Sequence, residues 1–153
     1  MEVVKKRRSI RRYRQDPVPE KLIEQVLEAA RLAPSGGNRQ PWHFVVVRDA
    51  ETKRRLGLAS WAAEAPVVIV VCTERDTPTD AAIAFEHILL AATDLGFGTC
   101  WMGLWGQDDK VRRTLGIPDG VRILGATPLG YPDEAPPPKP RKSLSQIVHY
   151  ERF

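Results

Sequence analysis

VVIVVCTERDTPTDAAIAFEHILLAATDL, from Val67 to Leu95, carries the pattern that decides the fold class. Val67 to Val71 are five consecutive β-branched residues. A run with no polar alternation predicts a strand buried on both faces. Asp80 to Leu95 is apolar almost all the way round its helical projection. That predicts a central helix packed on several sides and not a surface one. Only Thr73 to Thr79 joins the two.

Downstream, Gly96-Phe97-Gly98 stops the helix, and Thr99 to Met102 reads as a short strand. Asp108 to Leu115 predicts a polar-faced helix ended by Gly116. Val121 to Thr127 predicts a strand closed by Pro128 and Gly130. Upstream, Pro19-Glu20 suits a first helical turn. Leu22, Ile23, Val26, Leu27 and Ala30 then share one face until Pro34. The loop PSGGNRQP (Pro34 to Pro41) precedes a predicted strand, Trp42 to Val47. Asp49 to Ala63 reads as one helix with Asp49 as its cap.

Five prolines between Pro132 and Pro140 predict an extended arm, and Leu144 to Tyr150 a terminal strand. A helix, then interleaved strands and helices, then an arm: the order predicts an α+β or mixed α/β chain, organised as a single domain over residues 1–153.

Charge is concentrated at one end. Lys5 to Arg14 (KKRRSIRRYR) holds seven basic residues and no acid. The chain as a whole has net charge +4, yet outside that run it counts 16 basic to 19 acidic residues. The run is therefore a patch for something anionic: nucleic acid, a membrane surface or a small-molecule phosphate. The longest apolar run, Ala65 to Cys72, is too short to span a bilayer. No apolar segment follows the N-terminal charges as in a secretory signal, so a cytoplasmic protein is expected. Cys72 and Cys100 read as free buried thiols. His43, His87 and His149 are too far apart in sequence for a metal motif.

Familiar catalytic signatures are missing. Gly96-x-Gly98 follows a helix, and Trp101 stands where a third glycine belongs, so the dinucleotide fingerprint fails. There is no P-loop, HExxH or nucleophile elbow. An enzyme with no evident acid, base or nucleophile takes its reactivity from a cofactor.

Four segments suggest which one: RRSIRRY (Arg7 to Tyr13), APSGGNRQPWHF (Ala33 to Phe44), GFGTCWMG (Gly96 to Gly103) and LGYPDEAPPPKPRKSLSQIVHYERF (from Leu129). In this order, over nearly the whole chain, they resemble the FMN-dependent nitroreductase family. The resemblance implies an α+β fold with a mixed β-sheet flanked by helices, an extended C-terminal arm from about residue 131, and an intertwined homodimer. FMN would lie at the interface, taking hydride from NADH or NADPH and passing it to a nitroaromatic, quinone or similar acceptor, with no nucleic-acid or membrane partner. By the same resemblance, Arg7, Arg8 and Ser9 would hold the phosphate and ribityl chain, and Arg11 would lie near the pyrimidine edge. Pro34, Ser35 and Gly36 would cover the ring from the partner subunit, with Asn38 and Gln40 in the same loop. Met102, Gly103 and Leu104 would line the ring, with the Gly103 N–H directed at N5, and Lys139 and Arg141 would complete the phosphate site.

The chemistry suits these assignments. A phosphate monoester carries nearly two negative charges at neutral pH and calls for several cationic donors and a hydroxyl. Arginine supplies a planar fork, and a glycine lets the backbone approach a ring closely.

Plainer readings stand beside each feature. The basic run alone fits a solvated arm touching RNA or lipid, although only Tyr13 interleaves with its charges. PSGGNRQPW alone is what turns are made of. Trp42, Trp61 and Trp105 read as core or interface residues, with only Trp101 placed near the site. His87 reads as a satisfied core histidine, and Pro137 to Pro140 as at most a weak PxxP ligand. The short Thr73–Thr79 connection and the compressed Gly57–Glu64 region imply an open, less selective acceptor pocket. Two other functions compete: a flavin carrier or sensor without significant turnover, and a basic nucleic-acid-binding module.

Overall fold

The computed structural model describes residues 1–74, 78–104 and 106–153. Its centre is a four-stranded sheet of β1 (Trp42–Val47), β2 (Val67–Thr73), β3 (Gly98–Thr99) and β4 (Arg122–Gly130), in the order β1-β2-β4-β3. All three ladders are antiparallel. Among the described residues the one parallel pairing is the isolated Ser9–Thr99 bridge, so the mixed character expected of the sheet is confined to that point.

β2 is buried along its whole length, and its side chains feed two cores. Val67, Ile69 and Val71 face one core, with Ile23 and Val26 of α2 (Glu20–Arg31) and Phe85 and Ile88 of α5 (Thr79–Asp94). Val68, Val70 and Cys72 face the other, with Leu56, Leu104 and Val111, the last from α6 (Asp108–Leu115). The strand repeat of two sends alternate residues to opposite faces, and burying each such side chain contributes about 1.5–3 kcal/mol. An uninterrupted β-branched run is the pattern such a strand needs.

The remaining differences from expectation have local causes. The helix expected over residues 49–63 is two: α3 (Ala50–Arg55) and α4 (Ser60–Ala63), parted where the chain turns through Gly57. Asp49 caps α3 as expected, its carboxylate accepting the Thr52 N–H at 2.7 Å. Lys53 is buried and donates to the carbonyls of Ala65 and, at 3.2 Å, Pro66, which ties α3 to the start of β2.

The strand expected over 99–102 is interrupted. β3 ends at Thr99, the Cys100 N–H donates to the Thr127 hydroxyl at 3.1 Å, and pairing resumes only at Met102, which bridges Ala126. β4 runs past Pro128 to Gly130 because Leu129 and Gly130 pair with β3.

At the N-terminus, five residues form α1 (Glu2–Lys6), which buries none of its side chains. At the other end the expected strand over 144–150 is absent. Leu144–Gln146 is a single 3-10 turn, stabilised by reciprocal Ser143–Gln146 bonds. Among the described residues no strand pairs with it, and Leu144, Ile147, Tyr150 and Phe153 stand exposed. No described helix is long and apolar enough to cross a membrane.

Candidate functional site

After α1 the basic segment runs extended along the sheet edge. Ser9 bridges Thr99, and the Ile10 N–H donates to the Thr99 carbonyl at 2.8 Å. Ile10 is buried, and Gly98 makes room for it: a Cβ at that glycine would lie 2.8 Å from the Ile10 Cβ. Tyr13 follows, its hydroxyl donating to the Ile10 carbonyl. Burial first, then nearby anionic groups, raise the Tyr13 pKa well above the usual phenol range. This tyrosine is an anchor and not an acid.

The same segment is zipped to the start of the C-terminal region. The Arg14 N–H donates to the Tyr131 carbonyl and the Asp133 N–H to the Arg12 carbonyl, each at 2.9 Å, around a Tyr13–Pro132 bridge. Beyond that zipper the two strands of chain part and enclose a cavity of about 430 Å³. Arg7, Arg8, Ser9 and Arg11 line one side, and Lys139 and Arg141 the other. Lys5 and Pro136 to Pro138 also contribute, and among the described residues no acidic side chain does. The Arg8 guanidinium is oriented by bonds to the carbonyls of Lys5 (2.6 Å) and Arg7 (2.8 Å). The volume falls in the range of small-molecule sites. Cations, one hydroxyl and no acid are the donor set of a phosphate dianion. The residues present therefore fit an FMN phosphate.

Most of the other basic side chains in the run have in-chain partners. Lys5 pairs with Glu2 (3.3 Å), and Arg14 with Asp16 (2.8 Å), whose carboxyl its guanidinium holds below the usual range. Arg12 donates to the Asp133 carbonyl at 2.9 Å and lies 4.0 Å from Glu134. The Lys5–Glu2 and Arg14–Asp16 pairs are exposed and each worth little for stability, but Arg12 and Arg14, which do not line the cavity, are partly neutralised.

The remaining candidates lie elsewhere in the chain. Pro34, Ser35, Gly36, Asn38 and Gln40 form an exposed, internally bonded loop around a 3-10 turn (Gly36–Asn38). The Ser35 hydroxyl accepts the Gln40 N–H at 3.0 Å, and the Asp80 carboxylate on α5 accepts the Gly36 N–H at 3.3 Å. Asn38 (φ 54°) and Gln40 (φ 50°) occupy the left-handed region. L-residues held there store strain, of the kind that collects at functional sites. Met102 exchanges both backbone bonds with Ala126, at 2.9 and 3.0 Å. Gly125 permits that approach, since a Cβ there would meet the Met102 carbonyl oxygen at 2.5 Å. Gly103 is exposed, and Leu104 is buried in the second core. Neither this turn nor the loop lines the cationic cavity. One chain thus brings the residues expected to hold the phosphate around one cavity, and the two segments expected to contact the ring do not line it.

Other residues resolve plainly. His87 is hydrogen-bonded, its Nδ1 3.0 Å from the Ala29 carbonyl, but it is half-buried and not in the core as expected. His43 pairs with Glu74 at the surface, 2.7 Å apart. Cys72 and Cys100 are free and buried, and no metal-ligand cluster occurs among the described residues. Trp42 is buried, and Trp101 stacks on Phe85 with centroids 3.8 Å apart. Trp61 lies beneath the Arg11 guanidinium, 5.8 Å from ring centroid to carbon. Trp105 and part of the Thr73–Thr79 connection (75–77) lie outside the described residues, and with them the expectation of an open pocket.

Sequence reasoning missed Glu134, whose carboxylate binds the backbone of the basic run, and Asp80 at the loop. For Glu134 the only signal was an Asp-Glu pair set between prolines, in a chain whose arginines lie at the far end.

The family model described as the Nitroreductase family matches residues 4–70 and 55–131. A Methanothermobacter thermautotrophicus protein, provisionally named NADH dehydrogenase/NAD(P)H nitroreductase, is 39% identical over 150 residues, 89% of this chain and 78% of that protein. Among solved structures, an FMN-dependent nitroreductase from Clostridium difficile R20291 superposes with TM-score 0.86 at 30% identity, over 99% of this chain and 98% of its own. An iodotyrosine deiodinase bound to FMN and 3-iodo-L-tyrosine superposes with TM-score 0.87 at 26% identity, over the same two shares.

Proposed function

Because the chain belongs to the nitroreductase family, we propose that it is an FMN-dependent oxidoreductase that takes hydride from NADH or NADPH and reduces a nitroaromatic, quinone or similar acceptor. The flavin supplies the redox chemistry when bound, accepting and releasing hydride at N5. The chain's own residues bind, orient and shield it. Arg7, Arg8, Ser9, Lys139 and Arg141 hold the phosphate, with Arg11 at the pyrimidine edge, where a guanidinium favours an anionic ring. The Gly103 N–H serves N5, beside Met102 and Leu104. No side-chain acid or base is needed for the hydride step.

One observation carries this reading: two basic segments from opposite ends of the sequence meet around one cavity that no described acidic side chain lines. A second supports the homodimer. Pro34 to Gln40 do not line that cavity in this chain, which supports a ring-covering loop supplied by a partner. The exposed apolar residues from Leu144 to Phe153 suit burial against a second copy. In this reading residues 1–153 act as one FMN-binding domain. The nucleic-acid reading loses ground because Lys5, Arg12 and Arg14 have acidic partners.

The test is flavin binding together with sedimentation. The purified protein is expected to sediment as a dimer and to bind one FMN per chain. Replacing Arg7 and Arg11 together by Ala should weaken FMN retention. Full retention in that variant contradicts the assignment.

A further inference from the structure

Six cationic side chains lining one cavity repel each other, more strongly the less water lies between them. Something must hold Arg7, Arg8 and Arg11 opposite Lys139 and Arg141 before any anion arrives. The backbone zipper does part of this, but its last backbone rung is the Asp133–Arg12 bond. Pro136, Pro137 and Pro138 then offer no N–H with which to continue it.

At that point the Glu134 carboxylate takes over. Its Oε1 accepts the backbone N–H groups of both Arg11 and Arg12, the latter at 3.2 Å, and its Oε2 lies 4.0 Å from the Arg12 guanidinium. Two consecutive N–H groups thus converge on one anionic oxygen that the chain itself supplies. The Glu134 side chain is about three-quarters buried, with 24% relative exposure. In sequence it lies between the last zipper rung, Asp133, and Pro136 of the cavity lining.

We propose that Glu134 is a positioning residue of the phosphate site: it pins the Arg11–Arg12 backbone so that the two cationic walls face each other. This inference rests on the reading of the cavity as the phosphate site. Its sign separates it from electrostatics. A carboxylate acting only through its field opposes an anion nearby, so removing it would tighten phosphate binding. A carboxylate that holds the donors in place has the opposite effect.

The test compares wild type, Glu134→Gln and Glu134→Ala, titrated with FMN and with riboflavin, which lacks the phosphate. Glu134→Ala is expected to lower FMN affinity about tenfold, the worth of one charge-assisted bond, and to lower riboflavin affinity, which feels only the Arg11 contact at the ring edge, clearly less. Glu134→Gln keeps an acceptor oxygen and should fall between Ala and wild type. In the flavin-free proteins, amide hydrogen exchange at Arg11 and Arg12 should quicken in the same order.

FMN binding as tight as wild type or tighter in the Ala variant overturns the proposal, as does an equal loss of FMN and riboflavin. If the Ala variant does not fold, Glu134→Gln decides alone: weaker FMN binding supports the proposal and tighter binding overturns it. A wild type that binds neither flavin sinks the flavin reading and not this one. Titration of the same three proteins with inorganic phosphate then decides: the same order of affinities supports the proposal, and the reverse order overturns it.

Discussion

Arg7 and Lys139, near opposite ends of the chain, line one cavity. Nothing local connects them. The Ser9–Thr99 bridge and the zipper between Arg12–Arg14 and Tyr131–Asp133 bring them together. A phosphate bound there would take charge-assisted bonds from both walls. Arg7→Ala and Lys139→Ala should each cost about 1.5–3 kcal/mol of FMN binding, roughly tenfold or more in affinity. Flavin fluorescence titration measures this. Loss in one variant alone would place the phosphate against a single wall.

Gly98 matters because Ile10 packs where its side chain would be. Gly98→Ala should push the basic segment off the sheet edge and cost about 1–3 kcal/mol by overpacking. Adding Ile10→Ala, which empties that space, should recover part of the loss. A melting temperature unchanged in Gly98→Ala would show that the segment does not depend on this contact.

Gln40 sits at φ 50° in the loop whose Ser35 hydroxyl accepts its N–H. A left-handed L-residue costs about 1–2 kcal/mol, and glycine returns part of that gain as chain entropy. Gln40→Gly should therefore stabilise the flavin-free protein by about 0.5–1 kcal/mol in chemical denaturation. A destabilised variant would mean that the Gln40 amide bond to the Asn38 carbonyl outweighs the strain.

Burial pushes the Cys72 thiol from its ordinary 9.0 up to about 11. A folded-state pKa above the unfolded one gives stability that is full below pH 9 and lost as pH rises from about 9 to about 11. Cys72→Ala removes that titration, so its stability should fall less steeply over the same window. A thiol reagent should label neither Cys72 nor Cys100 in the native protein and both after unfolding, since both are buried. Rapid labelling of either in the native state would contradict the packing around it.

What could be read from the residues followed from how local the cause was. Five β-branched residues at Val67–Val71 and the all-round apolar Asp80–Leu95 announce β2 and α5, because burial alone shapes both. The division of α3 from α4 hangs on one turn at Gly57 inside an otherwise helical pattern, which periodicity over a longer window averages away. A strand at Leu144–Tyr150 failed for lack of a neighbour, and pairing is never visible in the pairing segment itself. At the site, the cationic wall from Arg7 to Arg11 could be read from composition, and its meeting with Lys139 and Arg141 from the order of four motifs. Glu134 could not, since a lone carboxylate among prolines does not reveal that it will bind the backbone of residues more than a hundred positions away.

The central claim is that this chain holds FMN and exchanges hydride through it. The most direct measurement is the visible spectrum of the FMN-loaded protein under anaerobic conditions, before and after adding NADH or NADPH and then again after a quinone. The account predicts a flavin spectrum that bleaches with at least one nicotinamide and returns with the quinone. A protein that cannot be loaded with FMN, or whose bound flavin neither nicotinamide bleaches, would contradict it.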